Sequence, residues 1–135
     1  MSFLKFVRAL VRPLMGKHLG RNRLVKFFYG ILVGFLNPIN VQGYKMFLDP
    51  KNDALDLLIK PDFETMEREI FKKYIKSGNR VIDVGANIGY HTLLMADLVG
   101  DKGVVYAFEP TPKVFSLLKK NMELNGFRNV ALIQK

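Results

Sequence analysis

The chain has 135 residues, 49% hydrophobic and 24% charged, a make-up that fits one globular domain and excludes a disordered or fibrous repeat chain. It contains no cysteine, which excludes a disulfide framework and a thiolate metal cluster and suits a reducing, cytoplasmic compartment. The net charge of +9 is lopsided: residues 1–48 hold eight of the 21 Lys and Arg and no acid, so residues 49–135 carry only +1. A basic leader on a nearly neutral body argues for a local surface role, and no nucleic-acid partner is expected from it.

The leader interleaves Phe3, Leu4, Phe6, Val7, Leu10 and Val11 with Lys5, Arg8 and Arg12, which segregate into two faces on a helix. After Pro13 and Gly16 comes the apolar run Leu24 to Leu36, too short to span a bilayer and followed by no cleavage site of a secretory signal. Residues 1–36 therefore read either as a helical lid on the domain or as an amphipathic anchor in peripheral contact with a membrane. The lid is the plainer of the two. Residues 1–40 are taken as the basic leader and 41–135 as the domain.

A short strand is predicted at Tyr44 to Leu48, closed by Asp49-Pro50. A helix follows Asp62, with acids at Glu64, Glu67 and Glu69, an apolar stripe of Met66, Ile70 and Tyr74, and Lys72, Lys73, Lys76 and Gly78 at its end. Arg80 to Val84 is too brief for a helix and reads as a strand buried on both faces. Tyr90 to Leu98 reads as a helix, Val104 to Phe108 as a second buried strand, and Val130 to Ile133 as a third. Between them Thr111 is placed as the cap of a helix with Pro112 at its first position, Val114, Leu117, Leu118 and Met122 inward, and Asn125-Gly126 at its end. Strand and helix in alternation predict an α/β fold: a Rossmann-like parallel sheet with flanking helices.

Two acids and a turn carry the chemistry. Asp83 ends the first strand of this unit, Gly85-Ala86-Asn87-Ile88-Gly89 turns the chain, and Glu109 ends the next strand 26 positions after Asp83. In such sheets ligands sit beyond the carboxyl ends of the strands. Glycines let the backbone approach a ligand at a helix start, and an acid at about this spacing grips the ribose of a nucleoside. A dinucleotide fingerprint would need glycine where Asn87 and Tyr90 stand. Asp83 also suits a cationic amino-acid end better than a pyrophosphate. S-adenosylmethionine (SAM) is therefore the favoured cofactor, and a dinucleotide oxidoreductase the weaker alternative. No metal-ligand spacing is found, so no metal is assigned.

Asp83-Val84-Gly85-Ala86-Asn87-Ile88-Gly89 with Tyr90-His91-Thr92, then Ala107-Phe108-Glu109-Pro110 and Asn121 to Gly126, resemble the FkbM family of class I SAM-dependent methyltransferases. So do Lys45 to Pro50 and Phe63 to Glu67. The resemblance covers about residues 41–135 and implies the first half of a class I methyltransferase domain, whose later strands have no counterpart in these residues. It implies that Asp83 serves the methionine end of SAM, that Gly85, Ala86, Asn87 and Gly89 form the turn beneath it, and that Glu109 holds the ribose. His91, Thr92 and Pro110 belong to the same motifs and complete the candidate cofactor-binding set. It further implies methylation of a hydroxyl on a small molecule or glycan. From the residues alone, His91 reads more simply as a packing residue, and Asn87 equally as a helix cap or a ligand contact. A rival of another class is a non-catalytic nucleoside-binding or membrane-peripheral fragment, because the strand Val81 to Val84 would lack neighbours on one side.

Overall fold

The computed structural model describes residues 37–49 and 64–135, with helical backbone also at residues 27, 30, 31, 34 and 35. The leader reading thus falls almost wholly outside the described residues, among which no helix is long and apolar enough to cross a membrane. The elements in order are β1 (Ile39–Val41), β2 (Tyr44–Met46), α1 (Thr65–Tyr74), β3 (Arg80–Val84), α2 (Tyr90–Val99), β4 (Val104–Phe108), α3 (Pro112–Leu124) and β5 (Val130–Ile133).

β3, β4 and β5 form one parallel sheet in that order, with Asp83 opposite Ala107 and Val84 opposite Phe108. Short β-branched runs separated by helices leave few other pairings, since parallel neighbours need a crossover. Two crossovers in one direction put α2 and α3 on the same face. There Leu93, Ala107, Leu118 and Met122 close the core at the top of the sheet and Ala96, Val99 and Val105 close it below. The opposite face is open among the described residues, and Ile82 and Val84 are 66% and 82% exposed. The predicted burial of β3 on both faces is therefore corrected: Val81 and Asp83 alternate toward α2, while Ile82 and Val84 point the other way.

α1 also turns a different face inward than its apolar stripe predicted. Met66, Ile70 and Tyr74 are exposed, whereas Phe71 and the following Ile75 pack on Met95, Ala96 and Val99, and Arg68 is buried. Two apolar stripes compete on this helix. The one that includes Phe71 meets α2.

The strand predicted from Tyr44 to Leu48 stops at Met46 and is half of a hairpin with β1, joined by Gln42 and Gly43 at φ 49° and 101°. Positive φ at both central residues is what a tight hairpin turn requires, and the Asn40 side chain accepts from Gly43 N–H at 3.1 Å to hold it. The other edge of β2 is met by side chains. Asn125 Nδ2 donates to the Lys45 carbonyl at 2.7 Å and its Oδ1 accepts from the Lys45 amide at 3.0 Å. One helical turn earlier, Asn121 does the same for Phe47, accepting from its amide at 2.7 Å and donating to its carbonyl at 3.2 Å. Two carboxamides four residues apart thus act as a neighbouring strand would.

Tyr44 donates its hydroxyl to Asp97 Oδ2 at 3.0 Å. Burial, and then the bond to and charge of Asp97, push its pKa from the ordinary value of 10.0 up to about 12. The unfolded chain ionises this phenol first, so the contribution is whole below the unfolded value and is lost as pH climbs from 10.0 through about 12. Tyr44→Phe is expected to flatten the fall of melting temperature across that window. Superimposable profiles for the two proteins would contradict this origin.

Candidate cofactor-binding site

The turn between β3 and α2 is drawn over the end of β4: the amides of Gly85 and Ala86 both donate to the Phe108 carbonyl at 2.9 Å. Gly85 has φ 77°, and a Cβ there would meet nothing within 4 Å, so the turn opens onto free space. Gly89 is constrained differently. Its φ is 94°, a conformation that favours glycine, and a Cβ would lie 2.6 Å from Met122 Cε and 2.8 Å from Leu118 Cδ1, so the ends of those two side chains on α3 would have to shift. Asn121 Nδ2 donates to the Ile88 carbonyl at 2.8 Å, tying the same turn to the β2 clamp.

Glu109 lies one residue beyond β4 and is 7% exposed. Its Oε2 accepts from the Asn87 amide at 3.1 Å and its Oε1 from the Thr111 amide at 2.9 Å. A carboxylate offers about four acceptor positions, so about two remain for a ligand. Asp83 Oδ2 accepts from the Thr92 hydroxyl at 2.6 Å, which fixes the carboxylate beside the first turn of α2. These groups sit at the carboxyl ends of adjacent parallel strands, as the ligand position in such sheets demands.

The structure therefore gathers Asp83, Gly85, Ala86, Asn87, Gly89, Thr92 and Glu109 around one turn, with exposed Pro110 leading from Glu109 to α3. Asn87 is exposed at φ 50° and does not cap α2, whose N-cap is Gly89 without a side-chain bond. Thr111 is the N-cap of α3, also without a side-chain bond; its carbonyl accepts from Phe115 N–H at 2.8 Å. His91 leans toward α1: Nε2 is 2.7 Å from Glu64 Oε2, and its ring stands edge-on to Phe71 at 5.1 Å. Sequence reasoning missed Asn121 as part of this assembly. The spacing Asn121-x-x-x-Asn125, two amides on one helix face, was the available signal.

A sequence profile of the TRM5/TYW2 methyltransferase domain matches residues 42–134, from the hairpin turn to the end of the sheet. The chain belongs to this family. TYW2 from M. jannaschii, solved in complex with AdoMet (SAM), is 29% identical to the TRM5/TYW2 domain described here, with a TM-score of 0.56 over 70% of this chain and 41% of that one. The protein-L-isoaspartate O-methyltransferase of Methanothrix thermoacetophila is 39% identical over 59 residues, 44% of this chain and 28% of that protein. A Clostridium thermocellum protein described as an rRNA methylase is 29% identical, with a TM-score of 0.50 over 53% of this chain and 39% of its own. The chain thus spans less than half the length of each of these relatives.

The fold is that of class I methyltransferases, and SAM is the cofactor of the domain. Two expectations are corrected. The family is TRM5/TYW2 and not FkbM, although the FkbM resemblance ran over the turn, its two acids and the segments before and after them. A small-molecule or glycan acceptor with no nucleic acid is overturned as well, because the relatives are named for macromolecular acceptors: protein isoaspartyl groups in one case, rRNA in another.

Proposed function

We propose that the protein is a SAM-dependent methyltransferase whose acceptor is RNA. The observation that carries this reading is the family match over 42–134, which includes the clamped hairpin, the Gly85–Gly89 turn and Glu109 in one continuous stretch. The similarity to isoaspartyl methyltransferases runs over 59 residues, less than half of this chain, so it speaks for the cofactor half more than for the acceptor.

In this reading Glu109 holds the ribose and Asp83, steadied by Thr92, faces the cationic end of the cofactor. Bound SAM supplies a methyl carbon already activated by its sulfonium. The residues of this chain then act by positioning, which alone can account for a large part of such a rate. No covalent nucleophile is needed, and the reading assigns no general base.

The test is transfer of tritiated methyl from SAM to total RNA, to an isoaspartyl peptide and to a simple phenol. Ribonuclease-sensitive label that falls steeply as salt rises is the expected result. Label in the peptide or the phenol alone would overturn the RNA assignment.

A further inference from the structure

Arg68, in the second turn of α1, is 9% exposed, its Nη1 is buried without a hydrogen-bond partner, and no ion pair among the described residues includes it. A guanidinium taken out of water is retained where something compensates its charge. The ring of Tyr90 lies 5.7 Å from Arg68 Cζ and the Tyr90 side chain bonds to Arg68, and a neutral partner compensates the charge only in part.

Tyr90 is the first residue of α2, and the N-cap of that ten-residue helix has no side-chain bond. The positive end of a helix and a buried cation therefore lie side by side, with Glu64 the acid that acts on the same spot, and each alone would attract an anion. Glu64, the acid one turn before Arg68, lies 2.7 Å from His91 Nε2. On the other side of the same ring, His91 Nδ1 too is buried without a hydrogen-bond partner.

We propose that Arg68 receives the carboxylate of the amino-acid end of SAM, with His91 Nδ1 accepting from the neighbouring ammonium. The assignment rests on the reading that the Gly85–Gly89 turn and the start of α2 face that end of the cofactor. It completes that reading chemically: Glu109 serves the ribose, Asp83 the positive charge, and Arg68 the negative one. A zwitterion held by a buried guanidinium on one side and an acceptor on the other is distinguished from ligands that lack the carboxylate.

The test is a cycle of calorimetric titrations in the full-length protein, using SAM and decarboxylated SAM against wild type, Arg68→Met and Glu109→Ala. Arg68→Met is expected to weaken SAM about tenfold or more while changing decarboxylated SAM less than about twofold. Its ligand-free form is expected to melt at or above the wild-type temperature, because an uncompensated buried charge is replaced by an apolar side chain. Equal weakening of both ligands, or a lower ligand-free melting temperature, would show a structural role and overturn the proposal. Unchanged SAM affinity would overturn it too, and would assign the anion to another source, such as an acceptor phosphate. Loss of both ligands in Glu109→Ala, whatever Arg68→Met does, leaves the underlying site reading intact; no loss there breaks that reading itself.

Discussion

Replacing Glu109 with alanine is expected to weaken SAM binding by about a hundredfold, about 3 kcal/mol. The carboxylate does two jobs at once. In the proposed reading it offers two open acceptor positions to the ribose, and toward the protein it holds the Asn87 and Thr111 amides at 3.1 and 2.9 Å. Alanine removes the first and leaves two part-buried donors to be met by water. Glu109→Gln separates the parts, since one carboxamide oxygen still accepts and the nitrogen cannot, so its affinity is expected to fall between those of alanine and wild type. Calorimetric titration checks both variants. Wild-type affinity in Glu109→Ala would remove the ribose assignment.

The second large effect is on stability. Asn121 is fully buried and makes three contacts that no other side chain replaces, two to Phe47 and one to the Ile88 carbonyl. Asn121→Ala leaves one donor and two acceptors of the backbone unmet, and is expected to cost about 3 kcal/mol or more. In a domain of this size that lowers the melting temperature by about 12 °C or more. Asn125→Ala breaks the equivalent pair at Lys45, which is exposed to water, and is expected to cost only about 1 kcal/mol. Calorimetric melting of the two variants side by side is the check. Equal losses would mean that the burial of Asn121 and its hold on the cofactor turn add nothing to the clamp.

Much of this architecture is legible in the residues because local and long-range preferences agree. Arg80–Val84 and Val104–Phe108 are short, β-branched and bounded by Gly78, Gly85 and Gly103, so length and breakers leave only a strand. Thr111-Pro112 and Asn125-Gly126 bracket α3 for the same kind of reason. The turn with its two acids is legible too, since paired glycines between a strand and a helix and an acid at each strand tip are local facts.

What escaped depends on partners far away in sequence. β1 has three residues, too few for a periodic pattern, and exists because β2 and the Asn40 bond to Gly43 hold it. The inward face of α1 was misread because Met66-Ile70-Tyr74 and Phe71-Ile75 are both apolar stripes, and only the position of α2 chooses between them. Periodicity shows that a face exists, and tertiary contacts decide which one is buried. The FkbM assignment failed in a different way: motifs dictated by a shared cofactor are common to many families, so they fix the ligand before they fix the acceptor.

The most direct test of the account is a calorimetric titration of the protein with SAM, with NADH as the control. Saturable binding of one SAM per chain and no heat from NADH are the expected results. Saturable NADH binding without a response to SAM would contradict the cofactor assignment and with it the reading of Asp83, the Gly85–Gly89 turn and Glu109.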